Sequence, residues 1–221
     1  MKYIKLFEEH SYSVYELITM GANQVLNLLI EEIRKKNPDL ELIRDILDYS
    51  VIDINSQDSE GCTGLMWAAG RENEKSLELL LNHPGIDVNV QDKDGGYTAL
   101  MCAADWRNEK SLELLLGHPE IKVNLQDNDG WTALILAARL GEEKCVELLL
   151  NHPGIDVNVK NEYGKTALMS ATRNGREKCV ELLLNHPKID VSIEDEDGNT
   201  AWFYANFSIR GQFPQLNPNF R

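Results

Sequence analysis

Apolar and polar positions follow one another along this chain in a pattern that predicts pairs of short amphipathic helices separated by polar turns. The segment 127–160 is a clear example. The apolar face of its first helix consists of Leu134, Ala137 and Ala138, and that of its second helix of Val146, Leu149 and Leu150. Thr132 is placed to begin the first helix and Gly141 to end it, and Pro153 excludes the second helix from continuing past His152.

The same pattern recurs several times in the chain. Glu-Leu-Leu-Leu occurs at 78–81, 113–116, 147–150 and 181–184, and a His-Pro pair follows each copy. Successive units begin at Asp58, Asp92, Asp127, Asn161 and Asp195, so the period is 34 or 35 residues. A period of this length predicts a solenoid, in which each unit relies on its neighbours to cover its apolar face.

The repeated residues resemble the ankyrin repeat family. The matching phrases are Asp-x-x-Gly-x-Thr-Ala-Leu-x-x-Ala-Ala, Val-Glu-Leu-Leu-Leu and Asp-Val-Asn, which recur across 58–206, about two thirds of the chain. The resemblance implies an all-α ankyrin-repeat solenoid of stacked helix-turn-helix units joined by hairpin-like loops. Glu72 and Arg107 stand where the family has a glycine between the helices, and we expect the asparagines that follow, Asn73 and Asn108, to adopt the left-handed conformation.

The periodicity also predicts how the chain divides. Residues 1–57 form an N-terminal helical cap that includes a degenerate repeat, with helices near 24–36 and after Pro38, and one or two further helices within 1–20. Four repeats then occupy 58–91, 92–126, 127–160 and 161–194, and 195–221 is a partial repeat acting as a C-terminal cap plus a tail. In this last segment we expect bulky rings to seal the final apolar helix face; they are those of Trp202, Phe203, Tyr204 and Phe207. The alternative is that the natural protein continues and that this sequence is a piece of it.

The net charge and the distribution of apolar residues restrict the kinds of partner and location that we expect. Acidic residues number 36 and basic residues 22, a formal net charge of −14, which disfavours nucleic acid or an anionic membrane as the main partner. The absence of a secretory core or a long apolar run predicts a soluble, cytoplasmic protein. We also expect it to be monomeric.

We predict no enzymatic activity, no cofactor and no metal. The cysteines show neither redox nor zinc spacing, and the Asp-rich turns fail the calcium-loop pattern. We expect the histidines of the His-Pro pairs to meet the free carbonyls at helix C-termini. The family resemblance implies asparaginyl hydroxylation at Asn89, Asn124 or Asn158. The alternative is that these side chains only hydrogen-bond the loop backbone.

Function is therefore expected on the concave surface made of turn tips and first helices. The candidate partner-binding residues are Tyr97, Trp106, Trp131, Tyr163, Arg71, Asp94, Asp105, Asp129, Arg139, Leu140, Lys165 and Arg173. The aromatic residues among them suggest a patch that docks a protein or peptide, and the acidic fringe suits a basic segment of that partner. Tyr97 and Trp131 have the alternative of packing against neighbouring hairpins. The favoured function is a non-catalytic interaction scaffold; the alternative is the targeting module of a larger enzyme or of a host-directed effector.

Overall fold

The computed structural model describes residues 17, 20–49, 52–71 and 73–219, and within them the chain forms short helices joined by turns. The helices, in chain order, are α1 (Ala22–Arg34), α2 (Leu40–Tyr49), α3 (Gly64–Gly70), α4 (Glu74–Leu81), α5 (Ala99–Asp105), α6 (Glu109–Leu116), α7 (Ala133–Leu140), α8 (Glu143–Leu150), α9 (Ala167–Arg173), α10 (Glu177–Leu184), α11 (Ala201–Tyr204) and α12 (Phe207–Gln212), followed by a 3-10 turn (Pro214–Leu216). The predicted helices within 1–20 lie almost entirely outside the described residues.

The helices stack in two parallel rows. The first helices of successive pairs contact one another from α1 through α3, α5, α7 and α9 to α11, and the second helices do so from α2 through α4, α6 and α8 to α10. Small buried residues such as Ala68, Ala103 and Ala137 allow the first helices to approach closely. The core is therefore continuous along the array, and the predicted all-α solenoid is confirmed. The boundaries assigned to the individual repeats stay a prediction.

The first helices α3, α5, α7 and α9 each have a threonine as N-cap. The hydroxyl oxygens of Thr63, Thr98, Thr132 and Thr166 accept a hydrogen bond from the backbone N–H three residues later, at 3.2–3.3 Å. This side-chain cap satisfies one of the backbone donors that a helix N-terminus leaves without a partner. The predicted start at Thr132 and the predicted end at Gly141, which is left-handed with φ 86°, both agree with the structure.

The two units that lack a glycine between their helices differ from the expectation. Asn73 and Asn108 have negative φ and cap the second helices α4 and α6, where their side-chain oxygens accept from the N–H of Ser76 and Ser111. Arg107 itself adopts the left-handed conformation, with φ 64°. The prediction of left-handed asparagines was wrong because an asparagine at this position stabilises the next helix more directly as a cap.

Side chains also connect consecutive loops. Asn124 donates from Nδ2 to the carbonyl of Gly154 at 2.8 Å and accepts at Oδ1 from the N–H of Asp156 at 2.9 Å, so it bridges to the next loop, 30 and 32 residues ahead. Asn55, Asn89 and Asn158 make the same pair of contacts with their own following loops. The asparagine side chains therefore bind the loop backbone of the next repeat.

A second ladder runs beside the first. The Nε2 groups of Gln57, Gln91 and Gln126 donate to the carbonyls of Gln91, Gln126 and Lys160 at 2.7, 2.8 and 2.9 Å, and Lys160 Nζ donates to the carbonyl of Glu194 at 2.8 Å. Each donor lies one repeat before its acceptor. The two ladders together hold the hairpin side of the stack in register.

The sequence suggested that the His-Pro histidines contact free carbonyls at the helix C-termini, and this prediction was wrong. The Nδ1 atoms of His83, His118, His152 and His186 instead accept from the backbone N–H two residues ahead, at 3.1–3.3 Å. The helix carbonyls are already satisfied by backbone N–H groups of the last turn, for example that of Leu80 by His83 N. The ring therefore tightens the turn that follows the proline.

The C-terminal end also differs from the expectation. A short second helix, α12, follows α11, and Ala205, Ile209 and Leu216 are the buried residues that close the last apolar face. Phe203 and Phe207 are 60% and 95% exposed, so these rings do not seal the core. Trp202 and Tyr204 are partly buried and pack against the core, so two of the four rings contribute to the seal together with aliphatic side chains from α12 and the 3-10 turn. No helix in the described part of the chain has the length and apolar character needed to cross a bilayer.

Candidate partner-binding surface

Five hairpin-like turns precede the first helices and form one edge of the stack. In the third of these turns, Asp127 accepts at Oδ1 from the N–H groups of Asp129 and Trp131 at 3.0 and 2.8 Å, which fixes the tip. Partial burial raises the pKa of Asp127, against the lowering effect of these two hydrogen bonds. Neighbouring turns are also joined, since Glu162 N donates to the carbonyl of Asp129 at 3.0 Å. The tips therefore present their side chains on a connected backbone.

Four of the predicted residues lie together at the middle of this surface. The guanidinium carbon of Arg139 lies 4.7 Å from the ring centre of Trp131, and Arg139 Nη2 lies 3.6 Å from Asp105 Oδ1. Burial raises the pKa of the nearby Tyr97 to about 12, with smaller contributions from Asp105 and Asp127. We call Tyr97, Asp105, Trp131 and Arg139 the Arg139 cluster. A cation held between an indole and a carboxylate is restricted before any partner arrives.

The rings of this cluster are less exposed than an open aromatic patch would require. Tyr97 and Trp131 are both half-buried and pack against the core. A large part of each ring is therefore buried by neighbouring residues, as the alternative interpretation expected. Their exposed parts, together with Arg139, remain available. Whether they bind a partner stays a prediction.

Trp106 lies outside the Arg139 cluster. It follows α5, is 63% exposed, and lies beside Gly70, where a Cβ would be 3.5 Å from Trp106 Cδ1. Arg71, another predicted residue, lies in the same cleft, together with cations from the end of α1. The structure therefore separates Trp106 from the aromatic residues with which the sequence analysis grouped it.

The other predicted residues are spread along the edge. Tyr163 is 53% exposed at the fourth turn. Lys165 and Arg173 flank the ring of Tyr204, at 5.6 and 5.7 Å from its centre. The remaining three are Asp94 and Asp129, which are exposed at turn tips, and Leu140, which is half-buried.

The sequence analysis missed a recurring contact between an aromatic ring and a turn carboxylate. Trp67 Nε1 donates to Asp58 Oδ2 at 2.8 Å, and Tyr204 donates from its hydroxyl to Asp195 Oδ2 at the equivalent position of the fifth unit. Arg34 and Arg71 also stack on Trp67. The identical nine-residue spacing of the two pairs is a signal that could have revealed this contact.

The cysteines do not offer reactive thiols at neutral pH. All four are free; burial raises the pKa of Cys62 and Cys179 to about 11 and that of Cys102 and Cys145 to about 12. Among the residues that the structure describes, histidine, cysteine and carboxylate side chains form no group arranged to hold a metal ion.

Comparison with known proteins agrees with this architecture. A family model of ankyrin repeats, built of three copies, matches residues 18–127 and 119–197. The crystal structure of EF0377, an ankyrin repeat protein, superimposes with a TM-score of 0.77 at 25% identity, covering 92% of this chain and 100% of that chain. A probable serine/threonine-protein kinase of Dictyostelium discoideum is 39% identical over 62 residues, which are 27% of this chain and 7% of the kinase. The chain thus spans only a small part of that relative. The extent of the family match and the stacked helix pairs together show that this chain belongs to the ankyrin repeat family.

Proposed function

We propose that this chain is a non-catalytic recognition scaffold that docks a protein or peptide on the surface formed by its turn tips and first helices. Ankyrin repeats are generally protein-interaction modules. The observation that carries the proposal for this chain is the Arg139 cluster. Tryptophan and arginine are the residue types that most often dominate binding energy, and here both stand on a rigid, internally bonded edge.

Charge suggests the kind of partner for this part of the surface. Asp94 and Asp129 are exposed at adjacent tips, and Asp105 lies within the cluster itself. A basic segment approaching these carboxylates gains attraction during encounter, and an acidic segment is repelled. We therefore propose a basic segment in the partner that meets the Arg139 cluster. A cytoplasmic location and a monomeric state remain predictions.

Affinity capture from the native cell extract, using wild type and single variants, tests the proposal. Trp131→Ala and Arg139→Ala should each reduce recovery of the same proteins, because they remove the ring or the cation of the cluster. Phe207→Ala and Lys178→Ala are matched controls, since both side chains are exposed and lie outside the surface. Full recovery by both cluster variants, with circular dichroism showing intact folding, would remove the Arg139 cluster from the binding surface.

A second candidate function is that of a targeting module within a larger enzyme. It is favoured by the match to a probable kinase, because the 62 matched residues are a small segment of a much longer protein. Sequencing of the full-length transcript separates the candidates. An open reading frame that continues past Arg221 into a catalytic domain supports the module, and a stop codon directly after Arg221 supports the scaffold.

A further inference from the structure

The cleft beside Trp106 is basic, although the chain as a whole carries a net charge of −14. It has a volume of about 370 Å³ and lies between the end of α1, the end of α3 and the residue that follows α5. Its lining residues are Arg34, Lys35, Lys36, Gly70, Arg71 and Trp106. Four of the six are cations and none is a carboxylate. We call this the Trp106 cleft.

Two of its cations are held by carboxylates outside the lining. Arg34 pairs with Glu60 at 3.0 Å, and Lys35 donates to the buried Glu32, a hydrogen bond that raises the pKa of Lys35. Glu32 in turn accepts from the backbone N–H of Asp39 at 2.6 Å, so its charge is committed to the end of α1. These pairs fix the positions of Arg34 and Lys35 and neutralise their charge.

The other two cations are not compensated. Lys36 and Arg71 form no ion pair with any residue in the described part of the chain. Arg71 is nevertheless positioned, because its guanidinium carbon lies 5.2 Å from the ring centre of Trp67, which also contacts Arg34 at 4.1 Å. The cleft thus keeps two positive charges free, one of them on a side chain that is already oriented.

Trp106 gives the cleft an apolar wall. Its ring lies beside Gly70, and most of the ring faces solvent. An indole of this exposure beside free cations provides a surface for an aliphatic side chain next to sites for carboxylates.

We propose that the Trp106 cleft binds an acidic peptide segment of a partner protein, with glutamate or aspartate side chains at Lys36 and Arg71 and an apolar side chain on Trp106. This site lies at the ends of first helices and goes beyond the Arg139 cluster, because its charge is opposite to that of the cluster and the two share no residue.

A short acidic peptide fits this charge distribution better than a nucleic acid does. A phosphate backbone needs a long basic stripe, and the exposed Asp94 and Asp129 at the turn tips repel one. Screening confines the attraction of the cleft to about 8 Å at physiological ionic strength, so a short segment experiences the local cations more than the net charge.

Fluorescence anisotropy with a labelled peptide of alternating glutamate and leucine tests the proposal on the full chain. Lys36→Glu should weaken binding about tenfold, a loss of about 1.4 kcal/mol, because an attraction is replaced by a repulsion. Trp106→Ala should also weaken it about tenfold, through loss of the apolar wall. Lys122→Glu, which makes the same change in net charge at an exposed site outside the cleft, should leave the affinity within about twofold of wild type.

Several results would overturn the proposal. They are a failure of the wild type to bind the glutamate–leucine peptide, equal binding of a glutamine–leucine peptide, equal losses from Lys36→Glu and Lys122→Glu, and tighter binding of single-stranded RNA than of the peptide. Self-association that Lys36→Glu abolishes would identify a second copy of this chain as the occupant instead. Trp131→Ala should leave the peptide affinity unchanged, so failure of this site and failure of the Arg139 cluster are distinguished. Circular dichroism of each variant verifies that it is folded.

Discussion

Asn108 is the side chain whose removal should be most informative about how neighbouring repeats are coupled. It is only 4% exposed, and its Nδ2 donates to the carbonyl of Ala69, in the preceding first helix, at 3.0 Å. Its Oδ1 accepts from Ser111 N at 3.2 Å and caps α6. Asn108→Ala therefore removes a helix cap and an inter-repeat hydrogen bond in one step, without demanding a new backbone conformation, since φ here is −91°.

The expected loss follows from these two contacts. Loss of an N-cap costs about 1 kcal/mol, and a buried carbonyl left without a partner costs about 1–3 kcal/mol. We therefore expect the free energy of unfolding to fall by about 2–4 kcal/mol. Because repeats are stabilised by their nearest neighbours, the loss falls on the interface between α3 and α5 as well as on α6 itself.

Equilibrium unfolding in urea, followed by far-ultraviolet circular dichroism, measures this loss. Asn82→Ala is the matched control, because Asn82 Nδ2 also donates to a backbone carbonyl, that of Glu78 at 2.8 Å, but does so at the exposed end of α4. Water replaces that bond, so the control should lose less than about 0.5 kcal/mol. Equal losses in the two variants, or a loss below about 1 kcal/mol for Asn108→Ala, would refute the assignment of Asn108 as a buried inter-repeat contact.

Three further predictions concern local strain, a buried donor and pH. Both Arg107→Gly and Arg107→Ala lose the ion pair with Glu142, but only glycine relieves the left-handed φ of 64°. Arg107→Gly should therefore raise the free energy of unfolding by a net amount of about 1 kcal/mol, and Arg107→Ala should lower it by roughly 0.5 kcal/mol; urea unfolding gives the sign of each. Trp67→Phe should lower the free energy of unfolding by about 1.5 kcal/mol in thermal denaturation, because Asp58 loses its indole donor, while Trp106→Phe at an exposed ring should have little effect. Burial raises the pKa of the thiols of Cys62, Cys102, Cys145 and Cys179 in the folded state above the ordinary value of 9.0, so the unfolded state ionises first. The melting temperature should therefore fall as the pH rises from 9 towards 11. A melting temperature that rises over this range would contradict the burial of these four thiols.

The features that the sequence predicted well are those set by local chemistry. A threonine directly before an apolar helical stripe caps the helix locally, as Thr132 does, and a glycine such as Gly141 ends a helix because it tolerates positive φ. The period of 34 or 35 residues then required the units to stack. Helix positions, threonine caps and the solenoid therefore followed from residues close in sequence.

The features that the sequence did not reveal depend on contacts between units. Asn108 reaches a carbonyl 39 residues earlier, and this contact, which no local pattern shows, commits it to capping and leaves the left-handed position to Arg107. The Trp106 cleft likewise joins the end of α1 to residues 34 or more positions later. In the sequence, the three cations at 34–36 are typical of a solvated helix end. Only the stacking of the repeats places Arg71 and Trp106 beside them.

The glutamine ladder of the loops has a direction, because every rung donates from one unit to a carbonyl of the unit that follows it. A chain leaving the ribosome completes its N-terminal units first. Each donor is therefore synthesised before its acceptor in the next unit. The direction of these hydrogen bonds thus matches the order in which translation produces the repeats.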